Sequence, residues 1–241
     1  MGPNQSLLLS GGRYHSYNTP NYFQPDFQLL SSNQWAIDYS LKTERTSLQA
    51  AVYYKLENGE PSPNLLFETE QLETIGIELF WEQQLGKYFT FSLANSFIDQ
   101  QINIGPEKFN GNWDYDYFVK SSLQYKHPRL FVLALSYIKR PGSPYTPVVG
   151  ANFQPDIDLY EPLFATRWNS AHFKNYQRLD LNLSRYFQFK KYALITFATV
   201  TNILNQKNQR EIIYTPDYRN YDFDYYQQRS LYVGLVWQWD Y

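Results

Sequence analysis

The chain ends in a stretch that alternates apolar and polar residues, Ser230-Leu231-Tyr232-Val233-Gly234-Leu235-Val236-Trp237-Gln238-Trp239-Asp240-Tyr241. Successive side chains of a β-strand point to opposite faces of a sheet. One face of this strand would therefore carry the large apolar side chains of Leu231, Val233, Leu235, Trp237 and Trp239, and the other face would be more polar. The stretch predicts a strand whose two faces meet different environments.

The same period of two recurs along nearly the whole chain. Three leucines alternate with polar residues in 177–186, and no long window shows helical periodicity. We predict ten strands, at 5–14, 31–42, 45–57, 72–85, 88–101, 114–126, 129–140, 175–188, 191–203 and 228–240. Most exceed the roughly five or six residues usual in globular sheets. They are long enough to cross a bilayer, which takes about 9–11 residues in a tilted strand.

The predicted strands are joined alternately by tight turns and by long connections. The turns are Thr43-Glu44, Gly86-Lys87, His127-Pro128 and Phe189-Lys190, and the long connections are 15–30, 58–71, 102–113, 141–174 and 204–227. Barrels of the bacterial outer membrane have short periplasmic turns and longer outer loops. The alternation favours such a barrel, with the last strand ending at the periplasm.

Composition excludes several other classes of protein. The net charge of −2 gives no reason to expect a nucleic-acid partner, and the absence of cysteine removes disulfides, thiolate metal sites and cysteine nucleophiles. No apolar run approaches the roughly 20 residues of a spanning helix. Aromatic residues make up 19% of the chain, which suits the aromatic girdles of outer-membrane barrels. We place these rings at strand ends, in Tyr53-Tyr54, Phe80-Trp81, Tyr88-Phe89, Tyr115 and Tyr117, Tyr186-Phe187, and Trp237 and Trp239.

Five segments, in order, carry a resemblance to one protein family. They are Gly11-Gly12-Arg13-Tyr14-His15, Thr74-Ile75-Gly76-Ile77-Glu78-Leu79, Gly142-Ser143-Pro144-Tyr145-Thr146-Pro147, Tyr176-Gln177-Arg178-Leu179-Asp180-Leu181 and Thr201-Asn202-Ile203-Leu204-Asn205. With its aromatic C-terminus, the chain resembles the C-terminal part of the barrel of TonB-dependent outer-membrane receptors from Bacteroidetes-like bacteria.

The resemblance implies an all-β fold, an antiparallel up-and-down transmembrane β-barrel segment of about ten strands that spans residues 1–241. It would be the C-terminal portion of a barrel of about 22 strands. We expect a signal peptide, TonB box, plug and earlier strands to be absent from this chain. The implied function is active uptake of an iron chelate, vitamin or glycan across the Gram-negative outer membrane, without enzymatic activity, cofactor or metal. The implied partners are outer-membrane lipid, the barrel assembly machinery, a small nutrient ligand, and the TonB complex through the missing plug only.

The resemblance and the loop composition together nominate two sets of functional residues. Aromatic and arginine side chains in the longest connection suit ligand capture, and we nominate Tyr145, Tyr160, Arg167 and Trp168. The C-terminal residues Leu235, Trp237, Trp239 and Tyr241 match the signal recognised by the assembly machinery.

Alternative interpretations remain open at this stage. The chain could close on itself as a ten-stranded outer-membrane barrel, either a porin, an adhesin or a surface protease, or it could be a soluble β protein. A protease would use His15 or His172 with Asp26 or Asp158, and His127 is better explained as a turn residue. Two acidic groups, Asp156/Asp158/Glu161 and Asp217/Asp222/Asp224, have oxygen ligands for Ca²⁺ but lack EF-hand spacing.

Overall fold

The structure is a computed structural model that describes residues 4–17, 29–61 and 69–239. Its elements are all strands, β1 Gln5–Tyr17, β2 Leu29–Lys42, β3 Thr46–Pro61, β4 Thr69–Leu85, β5 Phe89–Ile104, β6 Glu107–Asn110, β7 Tyr115–Lys126, β8 Val132–Arg140, β9 Pro144–Tyr145, β10 Val148–Gln154, β11 Leu159–Phe164, β12 Ala171–His172, β13 Tyr176–Gln188, β14 Tyr192–Thr201, β15 Gln209–Tyr214, β16 Tyr221–Tyr225 and β17 Ser230–Trp239. The all-β prediction is confirmed.

Ten long strands form one antiparallel sheet in the order β1-β2-β3-β4-β5-β7-β8-β13-β14-β17, with β6 paired to β5. Each long strand overlaps one of the ten predicted strands, with ends that differ by up to four residues. Long strands that are neighbours in the sheet follow one another along the chain. The remaining short strands form three separate pairs, β10 with β11, β9 with β12 and β15 with β16. The sequence analysis missed all seven short strands, because they lie in connections whose residues do not alternate over a useful length.

The two ends of the sheet differ as predicted. One end, which we call the turn end, holds the connections 43–45, 86–88, 127–131 and 189–191. The opposite end, the loop end, holds the connections 105–114, 141–175 and 202–229, and the predicted loops 15–30 and 58–71 lie partly outside the described residues. The connection after β7 is longer than predicted, because His127 accepts a hydrogen bond from the Arg129 N–H at its Nδ1 (3.2 Å) and donates its own N–H to the Phe131 carbonyl (3.1 Å). His127 is a turn residue, as expected.

Register divides the sheet into an apolar and a polar face. One row of paired residues crosses β1 to β5 and consists of Leu9, Ile37, Val52, Ile77 and Phe97, with 69%, 50%, 50%, 49% and 46% of each residue exposed. A row on the opposite face crosses β2 to β13 and consists of Lys42, Ser47, Glu82, Ser92, Ser122, Ser136 and Asp180. A two-sheet sandwich would bury the first row, so the described residues do not form a sandwich around these side chains.

The leucine and tryptophan residues of the last strands lie on the same apolar face. Leu183 is exposed, and on β17 Leu235, Trp237 and Trp239 are all more than half exposed. At the turn end the rings of Tyr192 and Trp237 stack 4.7 Å apart. Rings of Tyr88, Tyr125 and Phe131 also lie near one another at this end, which agrees with the predicted placement of aromatic residues at strand ends.

The two outermost strands of the sheet each have one neighbour. Within the described residues, β1 pairs with β2 and β17 pairs with β14, and no backbone hydrogen bond joins β1 to β17. Closure of the sheet into a barrel needs a ladder between these two edges. The alternative of a self-closed ten-stranded barrel is therefore wrong for this structure.

Tight packing is concentrated at the loop end. The buried apolar residues Ile102, Ile104 and Tyr115 all lie there, next to the buried Gln100. The Gln100 side chain accepts a hydrogen bond from the Trp113 N–H (3.0 Å) and donates to the Thr74 hydroxyl (3.3 Å). Since the middle of the sheet is a single layer with both faces open, the loop end is the part of the chain that most resembles a globular core.

Gly76 on β4 leaves room for an aromatic ring. The ring of Tyr53 on β3, its register partner, lies over Gly76 and occupies the space that a Cβ atom would need. The strand-end prediction for Tyr53 is wrong, because β3 continues to Pro61 and places Tyr53 in mid-strand on the polar face. The ring replaces the packing that glycine cannot supply, as aromatic residues do beside glycines in other sheets.

Gly76→Ala should destabilise the folded chain by about 1–3 kcal/mol, because the new methyl group displaces the Tyr53 ring. The measurement is the midpoint of urea unfolding in detergent. Gly150→Ala in β10 is the matched control, because its Cβ would be 3.7 Å from the nearest atom, a Leu163 methyl group. In Tyr53→Ala/Gly76→Ala the cost of the glycine substitution should largely vanish, and an unchanged cost would contradict the ring contact.

Candidate functional site at the loop end

The nominated ligand residues do not converge on one site. Tyr145 lies in β9, where its ring stacks on Phe173 at 4.5 Å, and burial raises the pKa of Tyr145. Tyr160 lies in the separate hairpin of β10 and β11, with its ring 5.0 Å from that of Phe153. Arg167, which is exposed, and Trp168, which is half-buried, follow in the connection to β12.

A chain of aromatic rings joins two loop-end connections. From Tyr145 and Phe173 it continues through Phe223, 6.4 Å from Phe173, to Tyr221, 5.5 Å further on. It ends at Tyr214, whose hydroxyl accepts a hydrogen bond from the Val148 N–H (3.4 Å). Gly142 makes the close approach possible, because its Cα packs directly against the Phe173 backbone. Connections 141–175 and 202–229 therefore form one surface.

Asn169 joins a third connection to this surface. It is buried, has a φ of 50°, and donates its side-chain amide to the Asn110 carbonyl (2.8 Å) and to Asn112 Oδ1 (3.0 Å). Its backbone N–H donates to the Thr146 hydroxyl (3.0 Å). Connections 105–114 and 141–175 are fixed to each other by one side chain that the sequence analysis did not single out.

Two further asparagines fix connection 202–229 to the sheet. Asn202 is fully buried, and its N–H donates to Asp180 Oδ1 (2.8 Å). Asn208 exchanges two hydrogen bonds with the backbone of Gln177, at 3.0 and 2.9 Å, and so imitates one rung of a β-ladder. Asn202, in the motif Thr201–Asn205, therefore has a structural role at the loop end of β13 and β14.

Arg140, at the loop end of β8, is held between two tyrosine rings. The guanidinium carbon lies 5.2 Å from the ring centre of Tyr115 and 5.0 Å from that of Tyr176. Its Nη1 donates to the Pro141 carbonyl (3.0 Å), the Ser143 hydroxyl (3.2 Å) and the Tyr115 hydroxyl (3.4 Å). The sequence analysis overlooked Arg140, although it lies only two residues before the quoted motif that begins at Gly142.

Charges on the polar face are distributed unevenly. The first half of the sheet carries Asp38, Glu78 and Glu82 together with Lys42, and a depression of about 280 Å³ is lined in part by Asp38 and Glu78. The second half carries Lys120, Arg140 and Arg178, and Arg178 is paired with Asp180 at 2.9 Å. Among these residues, carboxylates therefore outnumber cations in the first half, and cations outnumber carboxylates in the second half.

The structure describes only part of the residues in the histidine and acidic alternatives. Asp26 lies outside the described residues, and Asp158 is exposed at the turn between β10 and β11. Within the described ranges, no three His, Asp or Glu side chains are arranged to hold a metal ion. In the same part of the chain, no helix is long and apolar enough to span a membrane.

Burial raises the pKa of the Asp114 carboxyl, in the connection before β7. The hydrogen bond from the Gln100 N–H lowers it, the charges of Asp99 and Asp116 raise it, and His172 lowers it. The folded chain therefore holds this proton more tightly than the unfolded chain. This contribution to stability is present below the ordinary pKa of about 4 and is lost as the pH rises through the raised value.

Asp114→Asn should therefore stabilise the chain relative to wild type above the raised pKa and give no advantage at more acidic pH. The amide keeps the oxygen that accepts from Gln100 (3.4 Å). Urea unfolding midpoints across the acidic to neutral range measure the difference. Asp156→Asn, at an exposed turn position, is the control, and a pH-independent difference for Asp114→Asn would contradict the burial argument.

The proposed assembly residues lie at the turn end, away from this surface. Leu235, Trp237 and Trp239 share the apolar face of β17, and Tyr241 lies outside the described residues. The rings of Trp237 and Trp239 are 5.6 Å apart. Because β17 is an edge strand, these side chains are presented next to unpaired backbone groups.

Comparison with known proteins bears on the fold. No family model matches the sequence, and no curated protein matches it. Among solved structures, the chain is similar to the siderophore receptor PirA from Pseudomonas aeruginosa, with a TM-score of 0.50 and 10% sequence identity over 98% of this chain and 50% of that one. The chain thus spans half the length of that receptor. At this identity the likeness shows the fold, an antiparallel up-and-down sheet of the barrel type.

Proposed function

We propose that the chain is the C-terminal part of the barrel wall of a TonB-dependent outer-membrane receptor for nutrient uptake. Its ligand would be an iron chelate, vitamin or glycan. The observation that carries the proposal is the exposed apolar row from Leu9 to Phe97 with a polar face behind it. Such a two-sided single layer is stable where hydrocarbon covers one face and water the other.

The two unpaired edges support a part rather than a whole barrel. A free edge in hydrocarbon leaves backbone groups without partners, at several kcal/mol each. Further strands must therefore stand beside β1 and β17. The half-length match to a siderophore receptor is consistent with about twelve more strands and a plug in addition to residues 1–241.

Each part of the chain has a task in this proposal. The apolar face contacts outer-membrane lipid, and the barrel assembly machinery recognises Leu235, Trp237 and Trp239. The joined connections at the loop end, with Tyr145, Tyr160, Arg167 and Trp168, contact the nutrient ligand outside the cell. The TonB complex acts through the plug and not through this wall, and the chain catalyses no reaction.

Single-cysteine labelling tests the proposal, and the chain has no native cysteine to remove. Cysteines are placed one at a time at Val52 and Ile77 on the apolar face and at Ala51 and Ser96 on the polar face. In membranes of the cells that make the protein, a water-soluble maleimide should label positions 51 and 96, and a lipid-soluble reagent should label positions 52 and 77. Equal labelling of both faces from water, or recovery of the chain in the soluble fraction, would reject a membrane wall.

A further inference from the structure

Two cations on the polar face lack an acidic partner. Among the described residues, neither Arg140 nor Lys120 takes part in an ion pair, whereas Arg178 beside them is paired with Asp180. The Lys120 amine lies 4.6 Å from the centre of the Phe118 ring. Arg140 is half-buried. A partly desolvated cation is costly without a counter-charge, so an anion that reaches it gains more than it would at an open surface.

The contacts of the Arg140 guanidinium restrict its orientation. Its Nη1 donates to Pro141, Ser143 and Tyr115, and the guanidinium carbon lies 5.2 Å from the ring centre of Tyr115 and 5.0 Å from that of Tyr176. The remaining donors, on Nε and Nη2, have no hydrogen-bond partner among the described residues. These two nitrogens form the edge of a guanidinium that donates two parallel hydrogen bonds to the two oxygens of a carboxylate. Because these contacts already restrict the Arg140 side chain before an anion binds, little side-chain entropy is lost on binding.

Lys120 stands within reach of the same anion. It is the register partner of Ile138, and Arg140 is two residues further along β8 on the same face. Such diagonal neighbours have Cα atoms about 7–8 Å apart, which two long side chains easily span. Lys120 is exposed, so it can turn towards a bound anion.

We propose that Arg140 and Lys120 form an anion subsite that takes a carboxylate of the imported ligand. The guanidinium edge of Arg140 binds both oxygens, and the Lys120 amine adds a second positive charge. The subsite lies on the polar face near the loop end, where a ligand passes from the outer loops into the bore. The inference rests on the proposed function, because only a wall around a bore presents this face to an imported solute.

The test uses the full chain, isolated in mild detergent from its own membranes together with any polypeptide paired to its edges. The probe is citrate, titrated by calorimetry, and its neutral triamide is the matched compound. Citrate should bind, the triamide should not, and the affinity should fall with added salt. Arg140→Gln should weaken citrate binding about 10- to 100-fold, the value of roughly one charge-assisted hydrogen bond.

Further variants separate the guanidinium edge from simple charge. Arg140→Lys keeps the charge but loses the paired donors, so it should bind nearly as weakly as Arg140→Gln. Lys120→Gln should weaken binding about two- to fivefold, as expected for an exposed charge. Lys139→Gln, at the residue beside Arg140 but on the apolar face, should bind citrate like wild type. Far-UV circular dichroism of each variant checks that the sheet is intact.

Each unfavourable result has a defined meaning. Equal citrate affinity in wild type and Arg140→Gln, or equal binding of the triamide, overturns the subsite. Arg140-dependent binding of inorganic phosphate without citrate binding also overturns it, in favour of a phosphate site. The cysteine labelling is performed on the same membranes, so a subsite that fails in a correctly labelled wall leaves the proposed function standing.

Discussion

Val52→Arg should destabilise the membrane-inserted chain by about 2–4 kcal/mol, and Ala51→Arg should leave its stability nearly unchanged. Val52 lies in the exposed apolar row between Ile37 and Ile77, where an arginine would enter hydrocarbon. Ala51, its chain neighbour, lies on the polar face between Asp38 and Glu78. An arginine there has water around it and a carboxylate on each side.

The contrast between adjacent positions is what makes this prediction specific. The measurement is urea unfolding of the chain in its membranes. A second measurement is the fraction of the chain that still migrates as the folded form in gel electrophoresis after heating. The two positions are adjacent in β3, and the new side chain is the same in both variants. Similar losses at both positions, or a larger loss at Ala51, would mean that the apolar face does not meet lipid.

Asn202→Ala should destabilise the chain by about 3–5 kcal/mol, more than any other single truncation outside the apolar face. Asn202 has no exposed surface and a φ of 51°, a conformation that costs alanine about 1–2 kcal/mol. Its side chain accepts from the Gln206 N–H (3.0 Å) and donates to the Gln206 carbonyl (3.0 Å) and the Gln227 carbonyl (3.4 Å). Truncation removes these three part-buried hydrogen bonds, at about 0.5–1.5 kcal/mol each.

Two comparison variants separate the contributions. Asn202→Gly tolerates the positive φ and loses only the hydrogen bonds, so it should be less damaging than Asn202→Ala by about 1–2 kcal/mol. Asn205→Ala is the matched control, because Asn205 has the same φ of 51° but is exposed and accepts a single hydrogen bond, from the Arg229 N–H (3.1 Å). Urea unfolding gives the values, and equal losses at the two asparagines would show that strain alone matters.

The order of the sheet was accessible from sequence because its strands are long and alternate strictly. A shift of one residue would move a whole row such as Ile37, Val52 and Ile77 to the wrong face, so the pattern alone specifies the register. The strand ends were less accessible, and β3 continues past its predicted end through backbone pairing with β4. This extension is what moved Tyr53 from a strand end to mid-strand.

The candidate site was harder to predict because it depends on contacts between distant loops. Tyr145 was nominated and does join the ring chain, but its partner Phe173 was not identified. Asn169 and Arg140 act through neighbours more than 20 residues away in the chain, such as Asn110 and Tyr115. Composition marks a loop as interesting, but only the packing of one loop on another selects the residues that matter.

The free margins of β1 and β17 also determine how this polypeptide behaves when it is made alone. Each offers a row of open amide and carbonyl groups, and the β17 margin is flanked by bare tryptophan and leucine side chains. In water such margins recruit strands from other copies, which leads to aggregates and fibrils. Overproduction of residues 1–241 by themselves is thus expected to yield inclusion bodies, and production together with strands that pair with both margins should restore a dispersed, detergent-extractable species.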